Sequence, residues 1–595
     1  MSSSFPASEV PIRPHTVSGG EVVPGDLLAL SPEDAERSRW HVVVHTVPES
    51  PETIRVAYRP VLGGPEREWV VGREESVTVG GRRVDPASVP LLETQELGGV
   101  PLRDGDRVSV LRVVDPAAAE ITYVRRWGVW HRDLDGGHAA AVSDGDVREW
   151  ARRAEEDGVV VRYLPRPDAG AASVPRARRV VVTGLGAVTP LGVGVGELWE
   201  GLVEGRHGIR ELEGDEFEGL PVRVAGTVPV DPASLLDRTA ARRMNRAAQF
   251  AVLAAREAWG DAGFAAGGTE AAGVDPDRVG VSLGAILGDA SVLVGGDRRL
   301  RERGPRGVSP LTTPMTVPSQ AASQVSLDLH ITGEARTVTS ACASGTEAIG
   351  EAIDRIRYGR VDVALAGGAE AVVTPAIMAS FAAMRALSQH GAEGALSPSR
   401  PFAKDRDGFV NGEGAGVLVL EAEEHALARG ARIYCQAAGW GLSADAHHMA
   451  APDPSGRGVA RALRGAVHDA GGHLVDVVHV NAHATATTEG DLAEATALRG
   501  VFGERAVPVT ALKGHLGHLQ GAAGGVEAVA AVLTLHRRLI PPTVGCVELD
   551  DDIRELGVEV VTGGPRELPA DGDLVLSNSF GFGGHNAVLA LRRVA

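Results

Sequence analysis

The sequence predicts two regions of different fold class: a small, mostly β region at the N-terminus and an α/β domain in the rest of the chain. From about residue 177 onward, apolar runs typical of buried strands alternate with segments of helical periodicity. This alternation is typical of α/β proteins whose sheets are covered on both faces. Before residue 164, short β-branched runs follow one another, separated by turn signals such as Gly63-Gly64. With 595 residues, the chain is also too long for one ordinary core.

The boundaries follow from these changes of pattern. We assign residues 1–164 to the β-rich module, in which a helix is predicted near residues 146–157, and residues 165–176 to a linker rich in Pro, Gly and small side chains. The large domain divides into halves at residues 177–430 and 431–595. The N-terminal module contains no nucleophile motif, metal-ligand cluster or phosphate-binding loop, so its role is left open.

Composition and charge exclude several classes of function. The formal net charge of -19 argues against nucleic acid as the main partner, because no basic field would neutralise phosphates. The N-terminus lacks a basic segment followed by an apolar run, and no apolar stretch reaches the ~20 residues needed to span a bilayer. The three cysteines form neither a paired framework nor a metal-binding spacing. We therefore expect a soluble, cytoplasmic protein in which Cys435 and Cys546 are inert core thiols.

Cys342 is the candidate nucleophile. A β-rich run ends at this residue, and the apolar residues Ile349, Ile353 and Ile356 then recur at helical spacing until Gly359 provides a C-cap. Cys342 would thus lie at a helix N-terminus, where unpaired N–H groups and the helix dipole favour a thiolate and can bind an oxyanion. A buried structural cysteine is the alternative, and this stretch alone does not decide between the two.

A second segment resembles the one that ends at Cys342. Residues 336–342 and residues 477–483 each form a strand that delivers a reactive residue at its C-terminal end, Cys342 in the first and His483 in the second. Small and hydroxylated residues and a helix follow in both. This pairing suggests an internal duplication of one α/β unit, with ligands bound beyond the carboxyl ends of the strands.

Several long motifs occur in a characteristic order. They are SACASG at 340–345, SRPF at 399–402, RDGFVNGEGAG at 406–416, DAHHM at 445–449, NAHATATTEGD at 481–491, LKGHLGHLQGAAG at 512–524 and NSFGFGGHN at 578–586. Together they closely resemble the motifs of the β-ketoacyl-[acyl carrier protein] synthases, nearest the elongating type II enzymes. The resemblance covers about residues 178–593.

The resemblance implies a thiolase-like fold of two duplicated α/β halves in five αβαβα layers, working as a dimer. It also implies a decarboxylative Claisen condensation, in which an acyl chain moves from an acyl carrier protein onto Cys342 and is condensed with malonyl-carrier protein. The substrates would be carried on the phosphopantetheine of the carrier, and no metal or cofactor is expected. The partner in the dimer would be a second copy or a related ketosynthase-like subunit.

Catalytic roles are carried over from the family motifs. His483 and His518, as neutral imidazoles, would donate hydrogen bonds to the malonyl thioester carbonyl and stabilise the enolate formed as CO2 leaves. Lys513, one of only two lysines in the chain, would orient this histidine pair, with Asp491 and Glu527 as the carboxylates that hold it. The backbone N–H groups of Cys342 and Phe582 would form a second oxyanion hole.

The resemblance also implies roles outside the reacting centre. These assign pantetheine binding to Thr485 and Thr487, gating of the acyl site to Phe580 and Phe582, restriction of the acyl pocket to Leu287, and carrier docking to Arg242 and Arg243. The loop around Leu287 departs from the family pattern, so a chain-length preference is not transferred. Thr239 replaces a family Lys near the docking arginines, so the strength of docking is not transferred either.

Three other functions compete with this prediction. A thiolase needs a second catalytic cysteine near the C-terminus, and the loop after Phe580 has none; an initiating synthase uses His and Asn where this chain has two histidines. A non-condensing chain-length-factor-like subunit of a heterodimeric ketosynthase is the serious alternative, but such subunits lack the nucleophile. The pathway is fatty acid or polyketide biosynthesis, and the N-terminal addition favours the polyketide type.

Overall fold

In a computed structural model of the protein, the described residues are 178–392 and 396–594, together with the backbone of eleven strands between residues 14 and 164. The chain divides into two compact units, residues 1–176 and residues 177–595. Along the described part of the chain, no helix is both long and apolar enough to cross a bilayer.

The first unit contains two antiparallel sheets. One has six strands in the order β1-β6-β2-β3-β4-β5, and the other has five in the order β10-β9-β8-β7-β11. The strands are β1 Pro14–Ser18, β2 Leu27–Ala29, β3 His41–Pro48, β4 Thr53–Pro60, β5 Arg67–Gly72, β6 Ser76–Gly80, β7 Arg107–Arg112, β8 Ile121–Arg126, β9 Val129–Leu134, β10 Gly137–Val142 and β11 Val159–Leu164. The β-rich character predicted for this region is thus observed. The helix predicted near residues 146–157 lies outside the described residues.

The second unit is built around a twelve-stranded sheet. Its order is β17-β16-β18-β19-β12-β20-β27-β26-β21-β22-β24, with β13 paired to β12. The strands are β12 Val180–Thr189, β13 Gly192–Val193, β16 Val279–Gly284, β17 Glu334–Val338, β18 Val363–Glu370, β19 Gly414–Ala422, β20 Cys435–Ala444, β21 Val477–Asn481, β22 Pro508–Thr510, β24 Glu559–Val560, β26 Leu574–Gly581 and β27 His585–Arg592. Two short ribbons pair β14 Ile209–Glu211 with β15 Val224–Gly226, and β23 Leu539–Ile540 with β25 Arg566–Glu567.

Helices alternate with these strands, as the sequence predicts. They are α1 Val195–Val203, α2 Arg238–Ala241, α3 Arg246–Asp261, α4 Gly268–Ala272, α5 Ser291–Arg303, α6 Thr312–Thr316, α7 Gln320–Leu329, α8 Ser344–Arg357, α9 Pro375–Ala383, α10 Glu423–Ala428, α11 Arg457–Asp469, α12 Thr488–Phe502, α13 Lys513–Leu516, α14 Ala523–Arg537 and α15 Asp551–Glu555. The helix predicted after Cys342 is α8. Its residues Ile349, Ile353 and Ile356 are fully buried, and Gly359 adopts a φ of 69° just beyond its end.

The strand order repeats within the sheet. In the first half the order is β17-β16-β18-β19-β12, and in the second it is β22-β21-β26-β27-β20. In both, the second strand of the half is parallel to its two neighbours, and the remaining pairs are antiparallel. The halves join where β12 meets β20. The strands of the two halves therefore correspond differently from the prediction. β17, which precedes Cys342, corresponds to β22, whereas β21, which precedes His483, corresponds to β16.

The helices and strands form five layers, with one hydrophobic core under each outer helix layer and a third around the middle helix layer. The outer helices α3 and α7 pack on the strands of the first half, and α11 and α12 pack on those of the second. The third core contains α8 and α14, which lie in the middle against strands of both halves. These two helices approach at bare backbone, because a Cβ placed on Gly345 would lie 2.8 Å from the backbone nitrogen of Gly525. The architecture is the αβαβα arrangement that the resemblance implies.

Candidate active site

Cys342 lies in the turn that joins β17 to α8. Ala341 adopts a φ of 51°, a left-handed conformation that is rare for a residue with a side chain. Ser344 supports this turn, because its hydroxyl accepts a hydrogen bond from the Ser340 N–H at 2.9 Å and donates to the Ala341 carbonyl at 2.5 Å. The turn leaves Cys342 only 5% exposed, just before the first residue of α8.

The sulfur of Cys342 is surrounded by hydrogen-bonding groups. Its thiol donates to the Oε1 atom of Gln520 at 3.7 Å, and the backbone N–H groups of Cys342 and Phe582 are near enough to favour the thiolate. Burial raises the pKa of this thiol to about 12, although the Lys513 ammonium and the two N–H groups act in the opposite direction. Removal from water thus outweighs the helix N-terminus and favours the thiol over the thiolate that the helix N-terminus alone would favour.

The two histidines lie side by side. The ring centroids of His483 and His518 are 5.4 Å apart and the rings are nearly perpendicular, at 87°. Burial first, and the nearby Lys513 ammonium second, hold the pKa of both imidazoles well below the ordinary value, so both are neutral. Among the described residues, nothing pairs with Nδ1 of His483 or with either ring nitrogen of His518. The histidine pair therefore has unused hydrogen-bonding capacity in a buried setting.

Lys513 forms a buried ion pair with Glu527, as the resemblance implies. The expected contact between Lys513 and Asp491 is not observed, which corrects the prediction. The carboxylate of Asp491 instead accepts the backbone N–H groups of Phe402 at 2.8 Å and Ala486 at 3.1 Å, and it lies beyond salt-bridge distance of the lysine. The Asp491 carboxylate faces the loop before α12, and it bonds to backbone N–H groups that lie closer than the Lys513 ammonium.

Glu494, one turn further along α12, was not identified from the sequence. Its carboxylate accepts the backbone N–H groups of His483 at 3.0 Å and Ala484 at 2.8 Å, and the side-chain amide of Asn578 at 2.9 Å. It therefore fixes the end of β21 to the strand that leads to the loop around Phe582. The signal in the sequence was the helical spacing of Glu494 from Asp491, which puts two acids on the same side of α12.

The threonines predicted to bind pantetheine lie together beside His483. The hydroxyls of Thr485 and Thr487 are 3.1 Å apart. Arg406, which is buried, donates to the carbonyls of Thr487 at 3.2 Å and Thr488 at 2.8 Å and so holds this loop. The sequence indicated Arg406 only as part of a motif.

Leu287 lies on a loop that a buried carboxylate holds. Glu370 accepts the backbone N–H groups of Ile286 at 2.7 Å, Leu287 at 3.0 Å and Gly288 at 2.6 Å, and burial raises its pKa to about 7. The Leu287 side chain itself is 43% exposed. Residues of this chain thus position the predicted acyl-pocket residue without enclosing it.

The remaining predicted positions are divided between the site and the surface. The Phe580 ring lies 5.5 Å from the His483 ring, centroid to centroid, while Phe582 is 38% exposed and directs its N–H to the Cys342 sulfur. Arg242 and Arg243 are exposed immediately after α2.

Contacts connect the nucleophile with the histidines along two routes. In one, the loop that carries Phe580 and Phe582 touches both His483 and the Cys342 sulfur. In the other, Gln520 bonds to that sulfur only two residues after His518. The arrangement combines a buried thiol, two backbone donors directed at it and two neutral imidazoles. Over the ranges 178–392 and 396–594, no cluster of His, Cys, Asp and Glu could hold a metal ion.

Comparison with protein families agrees with this geometry. Residues 177–426 match the model of the β-ketoacyl synthase N-terminal domain, and residues 434–547 match that of the C-terminal domain. The chain is 40% identical over 419 residues to 3-oxoacyl-[acyl-carrier-protein] synthase 2 of Staphylococcus aureus strain N315, covering 70% of this chain and 98% of that protein. The Synechocystis protein of the same name is also 40% identical, with the same coverage.

Solved structures lead to the same family. The ishigamide ketosynthase/chain length factor is 36% identical, with a TM-score of 0.64. A type II PKS acyl-carrier protein in complex with its ketosynthase matches at 32% identity and a TM-score of 0.64. Each match covers 70% of this chain and all of the other. The chain therefore belongs to the β-ketoacyl synthase family and is a condensing acyltransferase.

Proposed function

We propose that this protein is a β-ketoacyl-[acyl carrier protein] synthase that elongates a chain held on Cys342. The observation that carries the proposal is the pair of neutral imidazoles with unpartnered ring nitrogens, connected to the Cys342 thiol through Gln520, which bonds to the sulfur two residues after His518. A subunit that only shapes a partner's product would need neither the thiol nor the free donors.

The first step transfers the acyl chain. The Cys342 sulfur attacks the thioester carbon of the acyl-carrier, the bond to the pantetheine sulfur breaks, and the thiol proton goes to the departing carrier thiol. Because one thioester replaces another, the exchange is nearly isoenergetic. The N–H groups of Cys342 and Phe582 would hold the oxyanion of the tetrahedral intermediate, and each donor of this kind contributes about 3–4 kcal/mol to lowering the barrier.

The second step forms the carbon–carbon bond. Malonyl-carrier enters with its pantetheine along Thr485 and Thr487, and its thioester carbonyl accepts hydrogen bonds from His483 and His518. As CO2 leaves, these bonds strengthen on the developing enolate, whose carbon attacks the acyl group on Cys342. Cleavage of the bond to Cys342 releases a β-ketoacyl-carrier that is two carbons longer and leaves the electron pair on the sulfur, which takes up a proton from water to restore the thiol. Lys513 would keep both imidazoles neutral by opposing their protonation.

Docking of the acidic carrier is assigned to a local basic surface. Arg242 and Arg243 are exposed at adjacent positions immediately after α2. In a chain with a net charge of -19 such a surface steers an acidic partner by charge complementarity. Replacing Arg242 and Arg243 by Glu should raise the KM for acyl-carrier and leave a carrier-free acyl thioester unaffected.

A dimer completes the acyl site in this proposal. Leu287 and, on α5, Leu293 and Val294 are all more than 40% exposed, so a second ketosynthase-like chain could cover them. The partner would be a second copy or a related subunit. Similarity to the ishigamide and type II PKS ketosynthases supports a polyketide-type pathway. We also propose a cytoplasmic location, which suits three unpaired cysteines, and a reaction without metal or cofactor.

One experiment tests the proposal. The purified full-length protein is mixed with acyl-carrier and analysed by intact mass, and malonyl-carrier is then added. We expect an acyl adduct on Cys342, followed by a β-ketoacyl-carrier and CO2. If Cys342 is never acylated, the synthase proposal fails and a chain-length-factor-like subunit becomes the better description.

A further inference from the structure

A chain of buried amides leads to the Cys342 sulfur. The Asn411 side-chain amide donates to the carbonyl of Val372 at 3.2 Å, and its Oδ1 atom accepts from Nε2 of Gln520 at 3.0 Å. Oε1 of Gln520 then accepts from the thiol of Cys342 at 3.7 Å. Asn411 is completely buried and Gln520 is 4% exposed, so neither amide exchanges freely with water.

The direction of each amide in this chain follows from the first link. The Val372 carbonyl can only accept, so the NH2 group of Asn411 must face it and the oxygen of Asn411 must face Gln520. The NH2 group of Gln520 is then occupied, which leaves its oxygen toward the sulfur. Gln520 also has a φ of 52°, an uncommon conformation that the packed surroundings maintain.

We propose that Gln520 is a positioning residue that holds Cys342 as an oriented thiol until an acyl donor arrives, and that Asn411 fixes the amide in the orientation this requires. An amide oxygen can bond to S–H but repels a thiolate, and it loses its donor when the sulfur becomes acylated. The oriented amide therefore favours the free thiol over both the thiolate and the thioester.

Other groups around the sulfur act alongside this amide. The Lys513 ammonium and the N–H groups of Cys342 and Phe582 favour the thiolate, while burial and the carboxylate of Glu370 oppose it. The imidazoles of His483 and His518 are neutral and add no charge. Gln520 is the neutral side chain that bonds specifically to the protonated form, so its removal should shift the balance toward the thiolate.

The test measures the reactivity of Cys342 with iodoacetamide as a function of pH, in full-length protein, by mass spectrometry of the peptide that contains Cys342. Gln520→Met keeps the volume and removes the amide. We expect the apparent pKa of the thiol to fall, with alkylation near pH 7.5 about three- to tenfold faster. Asn411→Leu frees the Gln520 amide to rotate and should shift the profile in the same direction by less, which provides a second variant if Gln520→Met fails to fold.

Gln249 provides the matched control. Its buried amide bonds only to backbone, at the carbonyls of Ala241 (3.1 Å) and Met244 (3.3 Å), so Gln249→Met should leave the alkylation profile of Cys342 unchanged. A folded Gln520→Met protein with the wild-type profile would overturn the proposal, as would a raised apparent pKa. The inference rests on Cys342 as the nucleophile of the proposed function, but alkylation requires no condensation, so either idea can fail without the other.

Discussion

The two halves of the duplicated domain contribute different chemistry from the carboxyl ends of their parallel strands. The first half supplies one sulfur, after β17, in a turn that the Ser344 hydroxyl holds, and the Gln520 amide of the second half bonds to that sulfur. The second half supplies two imidazoles, after β21 and β22, and holds them with buried ionisable groups, Glu494, Glu527 and Lys513. The comparison teaches that the turn at the sulfur and the histidine pair are each held by groups of their own half, although the second half also contributes Gln520 and Phe582 to the surroundings of the sulfur. Substitutions should therefore separate the step at the sulfur from the step at the histidines.

The largest effect is expected where the covalent step depends on a single atom. Cys342→Ala removes the sulfur and should abolish both acyl transfer and elongation, because no other described cysteine lies in the site. Intact-mass measurement after incubation with acyl-carrier checks this. Cys435→Ala removes another buried thiol and serves as the control. An adduct on the Cys342→Ala protein would place the nucleophile elsewhere.

Loss of a single imidazole should slow condensation and leave acyl transfer to Cys342 unaffected. His518→Ala or His483→Ala removes one donor to the developing enolate and should slow condensation about 10²–10³-fold, while acylation of Cys342 continues. Release of CO2 from labelled malonyl-carrier and acyl-enzyme formation, measured in parallel, separate the two steps. Equal loss of both steps would contradict the division between the halves.

The ionic support of the second half should affect stability. Glu527→Gln leaves the buried Lys513 ammonium without its carboxylate, which costs about 3–5 kcal/mol and lowers the melting temperature. The exposed pair of Lys404 with Glu548 is the control, because Glu548→Gln changes an interaction that water already screens. If the two variants melt alike, the buried pair does not support the fold.

A smaller effect concerns acid. His479 is buried in β21 with both ring nitrogens unpartnered, and burial lowers its pKa to about 3. Between pH 6.5 and 3 the unfolded chain therefore binds a proton that the folded chain does not, so stability is lost as the pH falls, by about 1.4 kcal/mol per pH unit.

His479→Leu removes this titration. We expect the melting temperature of the variant to fall less steeply than that of the wild type between pH 7 and pH 5. Exposed His447→Leu is the control, since it removes a histidine that the fold does not bury. If the melting temperatures of the wild type and of His479→Leu fall equally steeply between pH 7 and pH 5, then His479 is not the group whose protonation destabilises the fold.

The fold and the grouping of the two histidines could be predicted from the sequence, and the errors have physical causes. The periodicity after Cys342 and the ordered motifs were sufficient for α8, the duplicated halves and the histidine pair. The protonation of Cys342 was not accessible, because burial depends on packing that no local pattern reports. Asp491 was carried over from the family motifs as a partner of Lys513, and Glu494, one helical turn further, was missed because only the fold shows that it bonds to the backbone of His483. Gln520 was missed because its partners, Asn411 and Cys342, lie more than a hundred residues away in the chain.

The bare backbone contact between α8 and α14 has a consequence for exchanging parts between relatives. Where Gly345 meets Gly525, the neighbouring atoms are backbone and cannot move aside as a flexible side chain would. An added methyl group would therefore push the half that carries the sulfur away from the half that carries the imidazoles. A chimaera that joins residues 177–430 of this chain to the corresponding C-terminal half of another synthase should condense only if both glycines are kept. The absence of a side chain at Gly345 and Gly525 thus determines how closely the half that carries the sulfur packs against the half that carries the imidazoles.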